Sequence, residues 1–203
     1  VLTDDTFAPI AIGGHTWENK LENGYWTYSL DDIHSGLKSC YADLKKDVKE
    51  KYGVTLTAFG AMGISGMMHG YMPFNEKDEL LVPFRTWRNT TTEQAASELS
   101  ELFSFNVPQR WSIAHLYQAI LNKEEHIGNI SYITSLEVYV HYLLTGEMAA
   151  GVGEASGMFP AEGIGYNKSM IEKFRALIAD KGYKWDIEDI LPAVKKAGEH
   201  CGV

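Results

Sequence analysis

The sequence predicts an α/β fold, and three observations carry that expectation. Helical and strand-like patterns alternate from end to end. A stretch rich in β-branched and small residues, 54–64, directly follows a long helical pattern. Residues 71–84 then carry a hairpin signal, which implies a mixed sheet instead of a purely parallel one. Each element has its own signature. Ser29 reads as an N-cap with Asp32 three residues on, and Ile33, Leu37, Cys40/Tyr41, Leu44 and Val48 keep helical spacing until Gly53. Residues 54–64 follow as the expected central strand, flanked by helices over 30–51 and 136–145. Residues 71–74 and 80–84 flank the turn Asn75-Glu76-Lys77-Asp78-Glu79.

A second helix is expected from Thr90–Thr92 to Phe103, with Glu93 and Gln94 placed for a capping box. Ser112 reads as the cap of a third, striped by Ile113, Leu116, Tyr117, Ile120 and Leu121. Gly128-Asn129 turns the chain into a short strand over 130–134, and Ser135 opens a helix that Gly146 ends. Residues 151–160 read as a glycine-rich loop. Asn167 starts a helix through Met170, Ile171, Phe174, Leu177 and Ile178, with Gly182 at the C-terminal cap. Asp186 caps a last helix over 187–197, kinked or split at Pro192.

Neither linker, repeat nor low-complexity tract interrupts the 203 residues, so a single domain is expected. A hydrophobic content of 45% and a charged content of 22% are those of a water-soluble globular chain. The net charge of −9 argues against nucleic acid, which needs clustered cations; only Lys45-Lys46 and Lys195-Lys196 pair up. Cys40 and Cys201 make no disulfide framework, and no signal peptide or membrane-spanning run is present, so the expected location is cytoplasmic.

Several chemistries are excluded by pattern. There is no phosphate-binding Gly-x-x-x-x-Gly-Lys-Ser/Thr. The run Gly151-Val152-Gly153-Glu154-Ala155-Ser156-Gly157 is one residue too long for a dinucleotide fingerprint and follows a helix. The seven histidines are scattered, with no i, i+4 pair, so a metal held by this chain alone is not expected. Gly63-Ile64-Ser65-Gly66 misses the nucleophile-elbow frame. A carboxylate pair for glycoside hydrolysis is open among 27 acids, although most of them sit on polar helix faces.

The remaining signal is Gly63-Ile64-Ser65-Gly66-Met67-Met68-His69-Gly70, followed downstream by Pro83-Phe84-Arg85-Thr86-Trp87-Arg88-Asn89-Thr90. A lone His after a strand is more often a structural hydrogen-bonder. Three glycines around His69, at the end of a strand where α/β ligands bind, weigh equally for a ligand contact. Trp87 by itself reads as core, but Arg88 and Asn89 after it supply the donors and acceptors that a polyol needs.

These segments resemble the sugar-binding face of the FGGY carbohydrate kinases, whose xylulokinase-like members carry Ser-Gly-Gln-Met-His-Gly where this chain has Ser65-Gly66-Met67-Met68-His69-Gly70. Gly24-Tyr25-Trp26, Tyr139…Leu144-Thr145-Gly146-Glu147, Ala155-Ser156-Gly157 and Leu191-Pro192…Gly198…Gly202 resemble further family segments, in order. The resemblance implies a ribonuclease-H-like, actin-like α/β domain, namely most of the N-terminal sugar-binding domain of a two-domain kinase. It implies transfer of the ATP γ-phosphoryl group to a sugar hydroxyl, with Met68, His69, Trp87, Arg88 and Asn89 at the sugar. The family's Asp-x-Gly-Thr hairpin, its Gly-Asp general base and its ATP-binding domain have no counterpart in this sequence. ATP and Mg²⁺ are therefore expected to be held elsewhere in the parent, and the isolated chain is expected to be inactive. Met67 in place of Gln, and Asn89 where the family often has Asp, bear on which sugar is used. A ketopentose such as xylulose, or a deoxy-ketose, is the expectation. The expected partners are that sugar and the parent's ATP-binding domain, with a homodimer one possible assembly. A non-catalytic sugar-binding or interaction module is the alternative.

Overall fold

The computed structural model describes residues 1–202 and divides into two compact units. The first comprises Val1–Lys20 and Tyr28–Gly63; the second comprises Leu21–Thr27 and everything from Ile64 onward. The architecture is mixed α/β.

In the first unit, β1 (Leu2–Thr3) pairs antiparallel with β2 (Pro9–Ala11), and Asp4 Oδ1 closes the turn by accepting the N–H groups of Thr6 and Ala8. The long helix α1 (Leu30–Tyr52) forms as the sequence indicates. Ser29 and Asp32 complete a reciprocal capping box, and Gly53, at φ 68°, takes the left-handed C-cap. Gly13 lies so close to α1 that a side chain there would collide with the backbone of Cys40 and Leu44. Asp47 accepts the Ile12 N–H at 2.9 Å, and the Tyr52 hydroxyl donates to the Ile10 carbonyl at 2.9 Å, which pins β2 along the helix.

The expected central strand over 54–64 is not formed. These residues belong to no strand, and they make no backbone–backbone hydrogen bond. Val54, Phe59 and Met62 are exposed. The physical reason is that β-branched content describes a surface suited to a ladder, and a strand exists only where another strand supplies the ladder. The ten strands instead form five two-stranded sheets among the described residues, so the expected central sheet gives way to small local ones. One of these is a hairpin of β3 (Lys20–Glu22) and β4 (Tyr25–Thr27), which turns at Asn23-Gly24 with both residues at positive φ.

The second unit has the larger core. Helices α2 (Glu93–Phe103), α3 (Ser112–Leu121) and α6 (Lys168–Ile178) bury Leu99, Phe103, Ile113, Leu116, Ile171 and Phe174 in one cluster. β5 (Met72–Phe74) runs antiparallel to β6 (Tyr132–Thr134), with Met72 opposite Thr134. The expected hairpin is reduced to the single bridges Tyr71–Arg85 and Phe74–Leu80. Helix α4 (Leu136–Thr145) lies between the Ser135 cap and left-handed Gly146, as the sequence indicates. β7 (Ala149–Gly151) pairs in parallel with β10 (Ala193–Lys195), whereas β8 (Ala161–Glu162) pairs antiparallel with β9 (Gly165–Tyr166).

Three local expectations are corrected. The glycine-rich stretch contains a short helix, α5 (Val152–Ser156). Ser112 is the first helical residue and not the cap, and its hydroxyl donates to the Gly70 carbonyl at 2.6 Å. The last helix, α7 (Ile187–Ile190), stops before Pro192: Leu191 is extended, as a residue preceding proline favours, and the chain then enters β10. Arg175 ties α6 to α7 with two hydrogen bonds to Asp186, at 2.6 and 2.7 Å. Among the described residues no helix is long and apolar enough to cross a membrane, and both cysteines are free.

Candidate functional site

The site is built on one antiparallel bridge. Tyr71 and Arg85 exchange both backbone hydrogen bonds, at 2.9 and 3.1 Å, and the pairing stops there, since the Gly70 N–H donates to the Arg110 carbonyl and the Thr86 N–H to the Trp26 carbonyl. Gly70 is required at the crossing. Its φ is 114°, and a Cβ there would stand 2.6 Å from the Arg85 carbonyl and 2.9 Å from the Phe84 ring. The Gly70 N–H donates to Arg110, while its carbonyl accepts from Ser112, so the start of α3 holds both polar groups of this residue.

A buried polar network underlies the bridge. The Arg85 guanidinium is ion-paired with Glu124 and lies 4.5 Å from the centre of the Tyr25 ring. The Tyr71 hydroxyl is 2.9 Å from His126 Nε2. Burial pushes the Tyr71 hydroxyl well above its usual range. Burial alone would raise Glu124, but Arg85 outweighs it and holds the carboxyl below its usual range. Burial depresses His126 to about 4, and burial with the Arg85 charge depresses His115 to about 3. His115 stacks 6.2 Å from Tyr71, with neither ring nitrogen hydrogen-bonded.

His69 is half-buried, and its Nδ1 lies 3.3 Å from the Gly157 carbonyl. That contact favours the tautomer protonated on Nδ1, which leaves Nε2 as an acceptor. Burial, reinforced by the Arg110 charge and opposed by the Gly157 carbonyl, lowers the ring's pKa, so it is neutral at pH 7. Gly157 ends α5, and a Cβ on it would stand 2.7 Å from both His69 Nδ1 and the Met68 carbonyl oxygen. The glycine is there because the loop lies against it.

The other expected contacts divide. Trp87 is 47% exposed, with the Arg88 guanidinium 5.1 Å from its ring centre. Asn89 is buried, and its amide is engaged by backbone: Oδ1 accepts the Trp26 N–H, and Nδ2 donates to the carbonyls of Trp26 and Thr86, each at 2.9 Å. Asn89 therefore pins β4 beside Thr86 instead of presenting its amide to solvent, and it leaves Trp26 partly exposed. Trp26 and Gly157 are the residues that sequence reasoning passed over beside the expected contacts; the Ala155-Ser156-Gly157 signature was the available signal for Gly157.

Two open grooves flank this region. One of about 450 Å³ is lined by Thr90, Thr91, Glu93, Gln94 and Gln118; the other, of about 500 Å³, by Leu81, Val82, Glu124, Glu125, His126 and Asn129. His69 and Trp87 line neither. No cluster of three or more His, Cys, Asp or Glu that could hold a metal ion exists among the described residues.

Compared with solved structures, the chain superposes on a xyloylose kinase from Brucella ovis with a TM-score of 0.78 and 17% identity. That alignment takes in 98% of this chain and 40% of that one. The fold is that of one FGGY-kinase domain. The likeness extends to a ligand-bound xylulose kinase from Lactobacillus acidophilus (TM-score 0.68, 14% identity, 87% of this chain and 35% of that one). A glycerol kinase with ADP from Plasmodium falciparum is also similar (TM-score 0.62, 15% identity, 88% of this chain and 42% of that one). The chain thus spans about two-fifths of the length of these FGGY-like enzymes. No family model and no curated protein matches it.

Proposed function

We propose that this chain is the sugar-binding part of an FGGY carbohydrate kinase, which phosphorylates a hydroxyl of a ketopentose such as xylulose or of a deoxy-ketose. The observation that supports the reading is the fold shared with sugar kinases, on which the Tyr71–Arg85 bridge joins the segment that follows His69-Gly70 to the one that continues into Trp87-Arg88. His69 Nε2 accepts a sugar hydroxyl, because Nδ1 is directed at Gly157. The exposed Trp87 ring faces the sugar's C–H surface, Arg88 donates at its edge, and Met68 closes the apolar side. Asn89 acts indirectly, by fixing Trp26 and Thr86.

Among the described residues there is no cluster of three or more His, Cys, Asp or Glu, and the sequence has no Gly-x-x-x-x-Gly-Lys-Ser/Thr. In this reading ATP and Mg²⁺ are held elsewhere in the parent, and the chain contributes binding and orientation. The same observation favours a second reading, a sugar-binding module without phosphoryl transfer. Titration calorimetry with D-xylulose on wild type and His69→Ala tests the sugar site. Loss of one buried hydrogen bond, about 1–3 kcal/mol, corresponds to a roughly 5- to 150-fold weaker affinity. An unchanged affinity in a folded variant removes His69 from the site. ATP-dependent turnover of D-xylulose by the pure chain would overturn the assignment of the chemistry to other parts.

A further inference from the structure

The backbone ladder ends at Tyr71–Arg85, because Gly70 and Thr86, next along, bond to Arg110 and Trp26. No strand pairing beyond that point fixes where Trp87 stands. The side chains of the same two residues make a second connection beneath the bridge. The Arg85 guanidinium donates to both carboxylate oxygens of Glu124, with Nη1 3.2 Å from Oε1 and Nη2 paired with Oε2. His126 Nδ1 lies 3.4 Å from the same Oε2, and the Tyr71 hydroxyl meets His126 Nε2 at 2.9 Å. The path Tyr71–His126–Glu124–Arg85 thus leaves the bridge at one residue and returns to it at the other.

The guanidinium also lies 4.5 Å from the centre of the Tyr25 ring and 5.6 Å from that of Tyr71, which brings β4 into the same cluster. The Arg85 side chain is 6% exposed and that of Glu124 20%, so water screens the pair only weakly. A pair held through two oxygens fixes the orientation of the guanidinium as well as its distance, which a single-point ammonium contact does not. Along the chain, Thr86 follows as a buried residue, and Trp87 and Arg88 are the two exposed ones after it. The Arg85 side chain anchors one end of this exposed pair, and the Asn89 amide, bonded to Trp26 and Thr86, anchors the other.

We propose that Glu124 is a positioning residue for the sugar: acting through Arg85, it sets the Trp87–Arg88 segment. The sugar half of this statement rests on the reading of Trp87 and Arg88 given above; the clamp stands on its own geometry. Glu124 follows α3 and immediately precedes the 3₁₀ turn Glu125–Asn129, outside every contact expected from the sequence.

The test is NMR of the full chain with ¹⁵N-labelled tryptophan, the Trp87 indole N–H being identified by its loss in Trp87→Phe. Calorimetry with D-xylulose and urea denaturation accompany it. Glu124→Gln keeps the shape and removes the charge, whereas Arg85→Lys keeps the charge and removes the two-pronged contact. Each should shift the Trp87 indole signal and weaken D-xylulose binding about tenfold. The double variant should bind no more weakly than the poorer single one, since both act through one contact. If Glu124→Gln does not fold, Arg85→Lys carries the test, because a cation still faces Glu124. Folded variants in which only the urea midpoint moves, with the Trp87 signal and the affinity unchanged, overturn the proposal and leave the pair a stability element. Additive losses in the double variant overturn it too. A Trp87 signal that shifts as expected, in a chain that binds no D-xylulose even as wild type, upholds the clamp and overturns the sugar reading instead.

Discussion

Replacing Gly157 by alanine separates a steric role from a conformational one. Gly157 has φ −85° and ψ −9°, a right-handed conformation that alanine adopts freely. On backbone grounds alone the change should stabilise the fold by about 0.4–1 kcal/mol, by restricting the unfolded chain. The surroundings predict the opposite. The new Cβ would stand 2.7 Å from the Met68 carbonyl oxygen and from His69 Nδ1, and 2.9 Å from Met68 Cε. Met68 Cε is the far end of a flexible side chain and can move aside; the carbonyl is backbone and moves only with the loop. Ordinary contact requires a retreat of about 0.7 Å, which stretches the Nδ1···O contact, already at 3.3 Å, past hydrogen-bond range. Overpacking of this kind costs about 1–3 kcal/mol, and the lost hydrogen bond about 0.5–1.5 kcal/mol, so a net loss of roughly 1–3 kcal/mol is expected. Urea denaturation measures the stability, and calorimetry with D-xylulose should show at least a roughly tenfold weaker affinity, the equivalent of about 1.4 kcal/mol. A Gly157→Ala chain that is as stable as wild type or more so, with unchanged affinity, refutes the close packing of Gly157 against the His69 loop.

Two further outcomes test the supports around the site. Asn89→Ala removes three hydrogen bonds to Trp26 and Thr86 and should lower stability by about 2–4 kcal/mol, with near-ultraviolet circular dichroism reporting a freed Trp26; an unaltered spectrum and stability would dissociate Asn89 from β4. His126 binds its proton less readily when folded, at about 4, than when unfolded, near 6.5, so the unfolded chain holds more protons between those values. Its contribution is therefore complete above pH 6.5 and is lost as pH falls toward 4. Denaturation of wild type and His126→Gln at a series of pH values should show a flatter acid limb in the variant, and parallel limbs would exclude His126 as its source.

The helices were legible because their signals are local. Ser29 with Asp32, Ser135, Asn167 and Asp186 accept the backbone N–H groups that a starting helix leaves unpaired, and Gly53, Gly146 and Gly182 take the left-handed caps. Strand pairing was less legible because it is not local. The turn at 75–79 closes as its residues indicate, with Asn75 bonded to Glu79, but the main partner of β5 is β6, far along the chain. Nothing in the pattern of residues 54–64 states that no strand will lie beside it. At the site, residue chemistry drew attention to His69 and Trp87, and the Tyr71–Arg85 bridge between their two segments is one that the hairpin signal partly anticipated. Asn89 has the chemistry of a sugar ligand, and only the geometry of its three hydrogen bonds shows that the amide is already engaged. Glu137 lies in an ordinary helix-start position, where a solvated carboxylate is the usual outcome, yet the structure buries it against Gly66.

The segment from Ile64 to His69 has no ladder, yet His69 is not free to wander. Arg110 and Ser112 hold the backbone at Gly70, Glu137 packs against Gly66, and the end of α5 blocks retreat at Gly157. Each support is a helix terminus or a loop next to one, and each acts on backbone or on a ring nitrogen that faces inward. The His69 ring meets this scaffold through Nδ1, at the Gly157 carbonyl. Substitutions therefore fall into two physically different groups. Changing Gly157, Ser112 or Glu137 moves the loop and should alter stability together with affinity. Changing His69 removes a group the scaffold barely uses, through one long contact at 3.3 Å, and should alter affinity with little change in stability. If His69→Ala instead destabilises the chain as much as Gly157→Ala does, the ring is itself a structural support, and the ligand contact must be sought on the Trp87–Arg88 side of the bridge.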